Sequence, residues 1–328
     1  MKKLNDYVGK LNTTMNETSS CYNFTAEKIA KTVAFCLTFL VSLAGNTVIG
    51  IIVYKTKTMR KPINFLVVNM AMSNLLLPIF SMPQSIQEIY TNHFLIGGPF
   101  GQSLCKLAYF LPHVSGLVST QSLVLIAVDR FGAVVFPLRH PLISSKLCRF
   151  FILATWILAM LILSPMLVVT KLVEFSGGYV CVRRWNEVFG ESSSLYHLPA
   201  IAVAFFIPLV LIAILYIIIF LKLKSQKVPG EQLACEKQQR RQRERNVLKM
   251  AIAIVLGFAV CLFPLAIHWL LITFRLIDIS SSCGLQNFSF VAFFMARANC
   301  AVKPCICFIF SRNYREGLKA LLIDKAAQ

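Results

Sequence analysis

SLCKLAYFLPHVSGLVSTQSLVLIAVDRFGAVV, residues 103–135, decides what solvent this chain lives in. From Lys106 to Asp129 the stretch carries no charge, and charge returns only with Asp129-Arg130 near its end. A helix needs about 20 predominantly apolar residues to cross the hydrocarbon core of a bilayer. This stretch is long and apolar enough to be one such span.

Runs of the same kind occur at 30–54, 63–90, 148–170, 198–222, 247–274 and 286–310, giving seven spans in all. Turn and charge signals separate them, among them Lys55-Thr56-Lys57, Gly97-Gly98-Pro99 and Lys227-Val228-Pro229-Gly230. Of the 328 residues 57% are hydrophobic and 14% charged, whereas a soluble domain carries about a quarter charged residues. The net charge of +19 does not point to nucleic acid. Its basic residues sit in short segments flanking apolar runs, and no folded basic domain remains once the spans are removed. The expected fold is all-α: a seven-helix membrane bundle over 30–310, an arm over 1–29, and a short amphipathic helix and tail over 311–328.

Lys and Arg crowd the first, third and fifth connections and the tail, most densely in Lys237–Arg245. Basic loops stay on the cytoplasmic side and meet its anionic lipid, so the expected place is the plasma membrane, N-terminus outside and C-terminus inside. Three glycosylation sequons in the arm, at Asn12, Asn16 and Asn23, agree with that direction. Prolines fall in nearly every span: Pro78, Pro83, Pro112, Pro165, Pro208, Pro264 and Pro304. Each removes a backbone hydrogen bond and favours a kink; membrane helices also carry more proline in general.

Motifs in order along these spans define a resemblance. Gly45-Asn46-Thr47-Val48 lies in the first span and Trp156 with Pro165 in the fourth. The third span ends in Asp129-Arg130-Phe131 and continues to Phe136-Pro137-Leu138. Pro208 and Tyr216 mark the fifth, Phe258, Cys261 and Pro264 the sixth, and Pro304 the seventh, followed by Phe310-Ser311-Arg312-Asn313-Tyr314. Together they resemble the rhodopsin-like (class A) G-protein-coupled receptors along nearly the whole chain.

The resemblance implies several roles. Asp129, Arg130 and Glu244 would form the pair that closes the cytoplasmic face, with Tyr216 and the loop residue Leu138 serving G-protein coupling. An arginine at a membrane helix end is costly to desolvate and is expected to be paired. Cys105 and Cys181 resemble the family's disulfide; Cys21 and Cys283 could form a second, though spacing alone leaves connectivity open.

Some positions depart from the family pattern. Asn74 stands where the family places a sodium-binding Asp, Leu262 replaces the sixth-span Trp, and Lys303 and Cys307 replace the Asn and Tyr around Pro304. Asn46, Asn74, Ser119, Phe258, Leu262, Pro264, Asn299, Lys303 and Pro304 make up the expected core switch, with Asn74, Ser119, Asn299 and Lys303 facing one another. No sodium site is expected, its cation being tethered as Lys303.

For the ligand, Pro112 stands where amine receptors carry an Asp, and Arg297 where opsins carry the retinal lysine. Neither a monoamine nor retinal fits. A long second outer loop resembles that of receptors for neuropeptide Y, neuropeptide FF and galanin, so a peptide is expected. Gln84, Gln87, Glu88, His113, His268 and Arg297 would face the cavity. Glu88, Glu174, Glu187, Glu191 and Asp278 line the outer side, where they would steer a basic or amidated peptide. Arg297 would either grip a ligand carboxylate or pair with Glu88.

The rival reading is a seven-helix decoy or partner receptor that no longer signals, favoured by the departures and opposed by the retained Asp129-Arg130, Glu244, Tyr216 and Leu138. An enzyme is not expected: there is no paired mid-span acid, H-E-x-x-H or G-x-S-x-G pattern. No catalytic or metal-ligating residue and no cofactor is assigned. The expected partners are membrane lipid, an extracellular peptide and a heterotrimeric G protein, with dimerisation left open.

Overall fold

Each apolar run becomes a helix. The computed structural model describes residues 25–91, 93–94, 96–136, 142–175, 178–190, 206–225, 234–274 and 283–326, apart from the side chains of 175, 186, 223, 225, 234–247, 273 and 324–326. Helix α1 (Thr25–Lys55) is the first span, and α2 (Pro62–Asn74) with α3 (Leu76–Tyr90) the second. The third is α4 (Gly98–Val135), and α5 (Ser145–Leu163) with α6 (Pro165–Val169) form the fourth. Then come β1 (Thr170–Phe175), β2 (Gly178–Arg183) and the short α7 (Trp185–Phe189). Helices α8 (Ile207–Ser225), α9 (Ala234–Thr273) and α10 (Cys283–Phe310) are the last three spans, and α11 (Arg312–Ala326) follows. Among the described residues six spans are long and apolar enough to cross a membrane, and Ile207–Lys222 is a shorter apolar seventh. The protein is a seven-helix membrane bundle. Helix α1 starts five residues earlier than the expected arm boundary, at Thr25.

The prolines act one by one. Pro78 has no N–H for the Asn74 carbonyl, and the second span is interrupted at Leu75 between α2 and α3. Pro165 leaves the Leu161 carbonyl open, and the Ser164 hydroxyl donates to it at 2.9 Å where α5 meets α6. Pro304 frees the Cys300 carbonyl, which accepts from Asn46 Nδ2 at 3.0 Å across the α1–α10 interface. Gly45 allows that approach, since a Cβ there would lie 2.7 Å from the Pro304 Cβ.

Helix α4 runs through the middle, touching α2, α3, α5, α6, α8, α9 and β1. Around its lower half Ile49, Ile52, Leu66, Met70, Leu123, Ile126, Ile254 and Phe258 pack into one buried cluster, joined by Tyr314 of α11. A second cluster, with Phe110, Val114, Val118, Met166 and Trp185, lies beneath the hairpin. Leu37, Leu40, Phe150, Leu161, Ile217 and Val260 point outward and are exposed. Side chains this apolar cover the surface on every side, as lipid contact requires.

Candidate functional site

One end of the bundle carries the antiparallel hairpin, in which Leu172 pairs with Cys181 and Thr170 with Arg183. Two ties hold it to α4. Cys181 is disulfide-bonded to Cys105, and Gln102 both donates to the Thr170 carbonyl at 3.3 Å and accepts from the Leu172 N–H at 2.8 Å. Cys283 is likewise disulfide-bonded; Cys21, expected as its partner, lies outside the described residues, as do Asn12, Asn16 and Asn23.

Beneath the hairpin lies a cavity of about 340 Å³, reaching from Arg183, Tyr109 and Trp269 down to Asn74, Asn299 and Lys303. Its size falls at the lower end of the range usual for ligand sites, about 300–1,000 Å³. Gln84, His113, Arg297 and Leu262 line it. The Arg297 Nε donates to Ser81 at 3.0 Å, and its guanidinium lies over the Phe293 ring at 5.6 Å. His113 Nδ1 is 2.6 Å from the Tyr109 carbonyl oxygen.

Three other residues expected in the cavity are placed elsewhere. Gln87 turns away and donates to the His93 carbonyl. Glu88 is exposed at the rim and accepts from Gln84 at 3.0 Å. His268 is buried between α9 and α10, with Nδ1 3.2 Å from the Ser289 hydroxyl and the ring edge-on to Phe293 at 5.1 Å. Adjacent helix positions differ by about 100° around the axis, so Trp269 rather than His268 turns inward. Tyr109, Arg183 and Trp269 also line the cavity, and no family motif in the sequence points to them. For Arg183 the available signal was a basic residue two positions after a bridging cysteine.

At the cavity floor Lys303 is almost wholly buried, 1% exposed. Its Nζ donates to Ser119 Oγ, lies 3.5 Å from Asn74 Oδ1, and sits 5.4 Å from the Phe258 ring centroid. Asn299 is buried beside it, and Asn299 Oδ1 and Asn74 Nδ2 have no hydrogen-bond partner among the described residues. A side polar link joins three spans: Asn69 accepts from Trp156 Nε1 at 2.9 Å and donates to Ser122 at 3.0 Å.

At the far end of α4 Arg130 pairs with its neighbour Asp129, Nε lying 3.2 Å from Oδ2. Asp129 is buried and Arg130 half-buried. The Tyr216 phenol lies within electrostatic reach of Arg130. The Glu244 side chain and Leu138 lie outside the described residues. Helix α11 docks against α1 closely enough that a Cβ at Gly317 would meet Ile52 at 2.5 Å. Burial raises the Tyr314 phenol above its ordinary value, keeping this anchor neutral.

Residues 45–306 match the family described as 7 transmembrane receptor (rhodopsin family). The chain belongs to that family and is a rhodopsin-like G-protein-coupled receptor. Among its curated relatives, the substance-K receptor of Bos taurus is 28% identical over 289 residues, covering 88% of this chain and 74% of the relative. The RYamide receptor of Drosophila melanogaster is 27% identical over 291 residues, covering 87% and 61%. The neuromedin-K receptor of Mus musculus is 27% identical over 288 residues, covering 87% and 62%.

Proposed function

We propose that this receptor is activated by a peptide entering beneath the hairpin, with the N-terminal arm outside the cell and α11 inside. The observation that carries this reading is one continuous cavity that starts at a disulfide-tied hairpin and ends on Lys303 in the mid-bundle. A ligand there touches α9 and α10 near their interior prolines, Pro264 and Pro304, where the helices are free of one backbone bond. Relatives named for substance-K, neuromedin-K and RYamide support a peptide as the ligand class. Asp129, Arg130, Glu244, Tyr216 and Leu138 serve the G protein at the other end, and the retained Asp129–Arg130 pair argues against a decoy.

The centre around Asn74 does not fit a sodium ion. An amide replaces the carboxylate such an ion needs, and an ammonium already occupies the oxygens of Asn74 and Ser119. Arg297, whose guanidinium stays protonated, cannot form a retinal imine. Signalling and agonist binding are therefore independent of sodium.

Cells expressing the full chain with a promiscuous G protein, challenged with neuropeptide pools, test the reading. A calcium response that Arg130→Ala abolishes without lowering surface expression is the expected result. Silence to every pool would remove the peptide assignment, and inhibition of agonist binding by Na⁺ would remove the tethered-cation account.

A further inference from the structure

The charges on the cavity wall are of one sign. Arg183, Arg297 and Lys303 all line it, and among the described residues no Asp or Glu does. Arg183 lies near two rings, its guanidinium carbon 5.3 Å from the Tyr109 centroid and 5.3 Å from that of Trp269. Its N–H groups have no hydrogen-bond acceptor among the described residues. Arg297 uses Nε on Ser81; its two terminal nitrogens are in the same position.

The carboxylate that acts on both arginines is Glu88, which stands exposed at the rim and is already engaged by Gln84. It forms no ion pair with either among the described residues. Burial pushes the Arg183 guanidinium down from its ordinary value, with Tyr109 and Glu88 pulling against it. Both arginines are half-buried, and a cation partly removed from water favours a charged partner. A planar guanidinium presents paired N–H donors that match a carboxylate bidentately.

Resting on the peptide-receptor reading, we infer that the inserted end of the ligand carries a carboxylate, gripped by Arg183 and Arg297. The basic or amidated character expected from the outer acids would then concern the rest of the peptide, not the inserted group. Of those acids, Glu191 and Asp278 lie outside the described residues, Glu174 is exposed on the hairpin and Glu187 pairs with Arg184 at 2.9 Å. Neither Glu174 nor Glu187 reaches the cavity.

The probe is a heptapeptide library made in matched sets: free-acid against amidated C-termini, and Asp or Glu against Asn or Gln. It is applied to cells expressing the full chain, with surface expression measured on every variant. Responses confined to carboxylate-bearing members are expected, and the two sets separate a terminal from a side-chain carboxylate. Arg183→Gln and Arg297→Gln should each cut the potency of those members about 10- to 100-fold. Neutral members, silent on the parent, should stay silent on these variants, and Arg297→Lys should restore part of the loss. Equal responses to acid and neutral members, or equal losses for both in the variants, would overturn the inference while leaving the peptide receptor intact. Silence to the whole library would end both.

Discussion

The two halves of this bundle are built on opposite plans. Near Arg130, α1, α2, α4, α9 and α11 close on a continuous apolar cluster in which Ile52 and Leu66 are wholly buried. Near the disulfide α3, α4, α9 and α10 surround a cavity with arginine, lysine, histidine and asparagine on its wall. Close packing makes the first half resist small changes of shape, and a polar hollow makes the second receptive to a ligand. The contrast teaches where this receptor keeps its stability and where it keeps its specificity. Lys303 and Phe258 lie on the boundary, the ammonium facing the hollow and the ring belonging to the packed cluster.

Substitutions across that boundary can break or sharpen the contrast. The largest expected effect is at Phe258, 1% exposed in the packed half. Phe258→Ala should cost about 3–5 kcal/mol, measured as heat resistance of the detergent-solubilised receptor. Leu262→Ala, one turn along and facing the cavity, should cost clearly less; equal losses would mean that the halves do not differ. Next comes Asn46→Leu, which deprives the Cys300 carbonyl of the donor replacing the Pro304 N–H. A buried acceptor left open costs about 1–3 kcal/mol, so the same assay should register an intermediate loss. The finest comparison uses single methyl groups. Gly45→Ala drives a Cβ to 2.7 Å from Pro304 and should lower stability, whereas a Cβ at Gly116 on the cavity wall meets nothing within 4 Å. Gly116→Ala should stay within about 0.5 kcal/mol of the parent. A marked loss there would show that the hollow is tighter than its geometry.

The packed half was far more legible in the sequence than the hollow one. Gly45-Asn46, Asp129-Arg130 and Pro304 lie in regular helices, where family motifs carry reliable spacing, and the structure brings Asn46 onto the very carbonyl that Pro304 frees. The meeting of Asn74, Ser119 and Lys303 could be anticipated for the same reason. In the outer half, Gln84, His113 and Arg297 reach the cavity as expected, but Gln87, Glu88 and His268 do not. A helix rotated by one residue exchanges a lining side chain for a packed one, as happened at His268 and Trp269. Arg183 has no counterpart motif in the sequence because its place depends on a hairpin folding back against α4.

What the sequence determined by itself is the solvent, the number of spans and the chemistry available at each motif. Those follow from hydropathy and from spacing along single helices, which are local properties. The tertiary structure alone decided that the described cavity wall is cationic, because three residues far apart in the chain, Arg183, Arg297 and Lys303, converge there while Glu88, Glu174 and Glu187 do not line it. The sign of the field inside a pocket depends on which side chains share it and which face water, and no linear pattern records that.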